Sequence, residues 1–289
     1  MKGYIIGNGF DLSHGMKTRF TDFYKYVSKM NPRNVDCFRY FYNIDDLWGN
    51  FEDNIGKIDY EFYMAHMGSI YDERDEYGLT VCADDIDFDH LLCDYQELEK
   101  DLLTWIKSLK MPTKKYDLSS DALFLSFNYS TVLEDVYSIK KKNILHIHGN
   151  ILSGKLITGY DNINITKVLN GADRGIYTWE FPYEYTGYQI LENYLSSFYK
   201  DTNSILQANI GFLNQFEKCD EIFILGLSFS KTDKKYLEYI LECINKSAKI
   251  NISYFSHSDR MRISWFLRKK TIENAHINKI EHILRLHSN

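Results

Sequence analysis

The chain holds 289 residues, enough for one large domain or a main domain carrying an inserted lobe. It is 44% hydrophobic and 26% charged, which excludes wholesale disorder, collagen and a coiled coil. The net charge of -6 argues against a surface given over entirely to nucleic acid, although from Lys231 onward 12 basic residues stand against 6 acidic ones.

Gly3-Tyr4-Ile5-Ile6 is a short apolar run that predicts a strand, and it enters Gly7-Asn8-Gly9-Phe10-Asp11. Two glycines one residue apart suit a tight turn whose backbone N–H groups face an anion. An ordinary strand–turn–helix of an α/β core is the plainer reading of the same residues. The third glycine of a dinucleotide fingerprint is absent. The next helix carries Phe20, Phe23 and Val27, with Thr18 or Thr21 near its cap.

Residues 35–115 read as a mainly helical insertion within a single domain spanning 1–289. Its aromatic stretch holds Trp48 and Glu52, four apart and able to share a helix face. Trp48 reads as packing and Glu52 as a lid or ribose contact. The acidic runs 72–76 and 84–89 read as solvated faces. Residues 91–109 repeat apolar positions at helical spacing, and Pro112 ends that helix.

A second α/β stretch follows. Residues 122–127 read as an apolar run interrupted by Ser126 alone, as in a buried parallel strand, and deliver Asn128-Tyr129-Ser130 at their carboxyl end. Residues 131–137 form a short helix. Residues 143–150 predict a strand and sharp turn through His146 and His148, with a further short strand at 156–159. Residues 160–185 lack periodicity and read either as a cover over a site or as a plain surface excursion. Helices are expected at 189–199 and 205–216, then a strand at 221–225 running into Gly226-Leu227-Ser228. A helix over 231–244, a strand over 249–255 and a last strand at 280–284 complete a doubly wound, mostly parallel Rossmann-like α/β sheet. Ligands of such sheets gather beyond the carboxyl ends of the strands, where Asp11, Asn128 and His148 all fall.

The five cysteines, at 37, 82, 93, 219 and 243, form no Cys-x-x-Cys pair, so free thiols and no metal are expected. No run of 18 apolar residues exists and the first residues lack the pattern of a signal peptide. A cytoplasmic protein with no membrane contact is the expectation.

Several separated motifs together resemble the bacterial AbiH family of phage abortive-infection proteins. They are Ile5 through Gly15, then Trp48 with Phe51-Glu52, Phe127-Asn128-Tyr129-Ser130, His146-Ile147-His148-Gly149, and Gly226 through Asp233. The family often has a histidine where this chain has Leu227. The resemblance implies antiphage defence inside a bacterial cell; an unidentified phage trigger and a second copy of the chain are candidate partners. A more distant likeness is to Sir2-like NAD-consuming domains. On it, Gly7 and Gly9 match the first turn, Asn128 the asparagine after a middle strand, His148-Gly149 the histidine–glycine pair, and Gly226 with Ser228 the late turn. Ser130 stands where sirtuins carry an aspartate, and no zinc lobe is encoded, so a protein deacetylase is not expected. Hydrolysis of NAD to nicotinamide and ADP-ribose is.

Under that likeness Asn128 positions a water or a ribose hydroxyl, and His148 takes a proton. His146 alternates with it and faces the other side of the strand, as a core or supporting residue. Gly7, Asn8, Gly9, Phe10, Asp11, His14, Gly226 and Ser228 surround the nucleotide. The bland rivals are a turn histidine at 148, a helix cap at Asn128 and an Asx-type turn at Asp11. A nucleotide-binding scaffold without turnover is one alternative function. A nucleic-acid sensor or nuclease is another, because Arg262 to Lys270 interleaves cations with Trp265 and Phe266.

Overall fold

The computed structural model describes residues 1–36, 38, 42, 44, 46–58, 95–161, 191, 193–229 and 231–285. The acidic runs, Cys37, Cys82, Cys93, Ser230 and all but the first two residues of the 160–185 segment lie outside them. The chain divides into two compact units. One is Met1–Arg19, Leu103–Ile157 and Asp201–Asn289; the other is Phe20–Leu102 and Thr158–Lys200.

The first unit is built on a six-stranded parallel sheet. Its strands are β1 (Lys2–Ile6), β2 (Leu123–Ser126), β3 (Ile144–His146), β6 (Glu221–Leu225), β7 (Lys249–Ser253) and β8 (Ala275–Asn278), while β4 (Gly149–Asn150) and β5 (Lys155–Leu156) make a small antiparallel hairpin. The spatial order is β3-β2-β1-β6-β7-β8. Counting the sheet's own strands along the chain, this is 3-2-1-4-5-6, the order of doubly wound dinucleotide-binding sheets. The fold is thus mixed α/β and Rossmann-like.

Strand alternation splits the core over the two faces. Ile5, Leu125, Phe127, Ile147, Ile224 and Tyr236 pack on one side. Tyr4, Ile6, Phe10, Phe124, Val132 and Leu225 pack on the other. Register makes this specific. Tyr4 lies opposite Phe124 on β2 and Phe223 on β6, and its ring stacks on both, with centroids 4.9 and 4.8 Å away. Such cross-strand aromatic pairs hold neighbouring strands in one register.

Several expected elements differ in detail. A six-residue helix, Asn8–Ser13, follows β1 directly, before the expected helix at Phe20–Met30. The 91–109 helix runs Tyr95–Ser108, its first residues lying outside the described set. The expected helix over 205–216 is broken into Thr202–Ala208, Ile210–Leu213 and Asn214–Lys218, with Asn209 at the first break. The final strand is Ala275–Asn278, not 280–284. Ile280–Ile283 is a helical turn, because Ile280 and Leu284 recur at helical spacing and are both buried.

In the second unit, Phe20–Met30 buries Phe23 and Val27. Trp48 stacks on Phe51 at 4.6 Å and meets the rings of Phe23, Tyr24 and Phe38. It is a packing residue, as its aromatic neighbourhood in the sequence implies.

Candidate functional site

The glycine turn comes first in the chain and is explained by packing. The Gly7 N–H donates to the Leu225 carbonyl (2.9 Å) and the Gly9 N–H to the Gly226 carbonyl (2.8 Å). A Cβ on Gly9 would stand 2.6 Å from the Gly226 Cα, and one on Gly226 would stand 2.2 Å from the Phe10 nitrogen. Glycine is required because the ends of β1 and β6 touch backbone to backbone. The amides of Gly7 and Gly9 are therefore not the open anion donors the sequence suggested. Asn8 faces the loop instead. Its Nδ2 donates to the Thr18 carbonyl (2.9 Å) and its Oδ1 accepts from Thr18 Oγ1 (2.6 Å). Phe10 is wholly buried in the core.

Asp11 begins a different pattern. The short helix carries it inward, to 2% exposure, where its Oδ2 accepts from Ser130 Oγ at 2.6 Å. Its Oδ1 is buried with no hydrogen-bond partner among the described residues. Asn128, at the carboxyl end of β2, is 6% exposed, and neither atom of its carboxamide has a hydrogen-bond partner among the described residues. The amide lies near enough to Asp11 to favour the ionised carboxylate, but no bond of normal geometry joins them. Burial dominates and raises the Asp11 carboxyl from 3.8 to about 6, against the opposing pull of Ser130, Asn128 and the His146 charge. Buried polar atoms without partners each cost about 1–3 kcal/mol, and three of them converge here.

A buried chain of polar contacts supports this pair from below. The Asn128 carbonyl faces His146 Nδ1 (3.1 Å), and His146 Nε2 faces Glu134 Oε1 (2.9 Å). Both ring nitrogens thus point at oxygen atoms. The two side chains are 9% and 10% exposed. Ser126 completes the frame, its Oγ accepting from the Asn128 N–H at 3.2 Å.

The two remaining histidines of the reading lie elsewhere. His148 is 2% exposed and packs edge-on against Phe127 (5.3 Å) and Tyr236 (5.7 Å), rings of the core on one face of the sheet. The polar chain around Asn128 runs through His146. His14 is taken up by the opposite face: Nδ1 meets the Phe10 carbonyl (2.8 Å) and Nε2 the Tyr137 hydroxyl (2.6 Å). Burial holds its ring below the usual histidine range. A ligand role expected for His14 gives way to a structural one, because both nitrogens are already occupied.

Residues 4–254 match the family described as bacteriophage abortive infection AbiH. The chain belongs to the AbiH family. No curated protein and no solved structure matches it. The family places this AbiH chain in antiphage defence by abortive infection.

In this AbiH chain, the other sequence candidates are distributed as follows. Gly226 closes the β6 turn at φ +67° and donates its N–H to Ser253 Oγ (2.8 Å), while Ser228 is exposed beyond it. Glu52 ion-pairs with the buried Lys200 (3.5 Å) inside the second unit, which accounts for it without a ribose. Among the described residues no group of three His, Cys, Asp or Glu side chains could hold a metal, and no helix is long and apolar enough to cross a membrane. Ser130 as the Asp11 partner and Glu134 as the His146 partner were not singled out in the sequence. Each follows a strand end by only a few residues, and that proximity was the available signal.

Proposed function

We propose that this AbiH protein is an abortive-infection effector that hydrolyses NAD, with Asp11 and Asn128 as its reacting centre. The observation that carries the reading is the pair of buried side chains at the carboxyl ends of β1 and β2 whose Asp11 Oδ1 and Asn128 carboxamide atoms have no hydrogen-bond partner among the described residues. The placement supports it, since ligands of open α/β sheets bind beyond the carboxyl ends of the strands.

The chemistry asks for little. As the C1′–N bond of NAD breaks, its electron pair passes to the pyridinium nitrogen and nicotinamide leaves neutral. Positive charge develops on the ribose ring. The ionised Asp11 stabilises that charge and takes a proton from the attacking water, whose oxygen bonds to C1′ and yields ADP-ribose. A carboxyl near 6 is mostly ionised at neutral pH and still basic enough for this task. Asn128 both donates and accepts, so it orients the water or a ribose hydroxyl. In this reading Asp11 takes the base role that the sequence analysis gave to His148.

In cells infected by a phage that the protein blocks, NAD is expected to fall, with nicotinamide and ADP-ribose appearing before lysis. Asn128→Ala should retain NAD and lose protection, its cleavage rate dropping about 10²-fold or more. Protection with NAD unchanged would contradict the reading.

A further inference from the structure

The helix His257–Lys269 carries a surface that the proposed NAD site does not use. It begins with a capping box in which Ser256 Oγ accepts from the Asp259 N–H (3.1 Å) and the Asp259 carboxylate accepts from the Ser256 N–H (2.8 Å). Asp259 is used by the cap and by Arg262. Ile263, Phe266 and Leu267 face the core. Met261, Trp265 and Arg268 recur four and three residues apart on the opposite side.

Trp265 is 61% exposed and has a lysine on either flank. Lys234 Nζ lies 5.5 Å and Lys269 Nζ 5.4 Å from its ring centroid. Lys270 is neutralised by Glu238 (3.4 Å) and Glu242 (3.5 Å), Lys234 shares Glu238 (3.9 Å), and Arg262 pairs with Asp259. Among the described residues Lys269 and Arg268 have no acidic partner. At the start of the helix Phe255 is 77% exposed, with Lys279 Nζ 5.6 Å from its ring.

We propose that this face binds single-stranded nucleic acid, Trp265 stacking a base while Arg268 and Lys269 neutralise phosphates. The argument is one of charge complementarity. The exposed rings alternate with cations and do not merge into a continuous apolar patch, which is the composition that sequence-tolerant single-strand surfaces use. From His257 to Trp265 the helix rises about 12 Å, the length of roughly three stacked nucleotides. The surface stands independently of the NAD reading, because it shares no residue with Asp11 and Asn128.

The test is fluorescence anisotropy with labelled oligo-dT and oligo-U, repeated at rising salt, on the whole protein. Neutralising two phosphates predicts a log–log salt slope of about -1.4. Trp265→Ala should weaken binding about tenfold or more at unchanged thermal stability, and Lys269→Glu should weaken it and flatten the slope. Either polymer binding in this pattern supports the proposal. Failure to bind either one, equal affinity of wild type and Trp265→Ala, or preferential binding of anionic lipid vesicles lost in the same variants would overturn it.

Discussion

Gly226→Ala is expected to destabilise the protein by more than about 3 kcal/mol. Two effects add. The residue sits at φ +67°, where an L side chain costs about 1–2 kcal/mol. The added Cβ would also press on backbone, 2.2 Å from the Phe10 nitrogen and 2.4 Å from the Gly9 carbonyl carbon, and neither can swing aside as a side-chain tip would. Gly154 supplies the control. It has the same φ of +67° but nothing within 4 Å of its would-be Cβ, so Gly154→Ala should lose only about 1 kcal/mol. Denaturant unfolding of the two variants separates strain from packing. Equal losses would show that the contact between the β1 and β6 turns is not tight. The contact also positions the start of the Asn8–Ser13 helix, and through it Asp11.

Asp11→Asn is expected to abolish activity while stabilising the fold at neutral pH. Burial raises this carboxyl from 3.8 to about 6, so the folded protein binds a proton that the unfolded chain has already released. The favourable contribution is complete below pH 3.8 and is lost as pH climbs to about 6. Holding the carboxylate ionised above that costs roughly 3 kcal/mol. The amide removes this penalty, less the cost of its own unpaired group. The variant should therefore gain about 1–3 kcal/mol at pH 8 and nothing below pH 4. The wild-type rate should rise with pH through about 6 as Asp11 ionises. His146→Gln removes the charge that helps hold the Asp11 proton off, so the rising limb should move to higher pH. A melt series across pH and a pH–rate profile check both halves. Loss of stability in Asp11→Asn at pH 8 would mean that the carboxylate serves structure, not function.

How far the sequence led depends on the distance over which each residue acts. Apolar runs such as 122–127 and 221–225 announced their strands because burial on both faces needs only local composition. Residues 280–284 misled because a five-residue stretch with apolar ends fits either period, and the tertiary contacts of Ile280 and Leu284 chose the helix. The Gly7–Gly9 spacing was visible, but its partner is Gly226, more than 200 residues away, so the same glycines that resemble a phosphate turn serve a backbone contact. Asp11 and Asn128 were legible as strand-end polar residues. What the sequence could not show was that they meet, or that His146 and Glu134 lie beneath them, because those contacts exist only once β1, β2 and β3 pair in register. His148 attracted the base role through its glycine neighbour, whereas its ring lies among Phe127 and Tyr236.

The most direct measurement is nicotinamide release from NAD by the purified protein supplied with extract of infected cells. Wild type should release nicotinamide and ADP-ribose in equal amounts, and Asp11→Asn, folded and no less stable at that pH, should be slower by about 10²-fold or more. Equal rates for the two proteins, or intact NAD with wild type in an extract from cells it protects, would contradict the assignment of the buried aspartate–asparagine pair as a glycohydrolase centre.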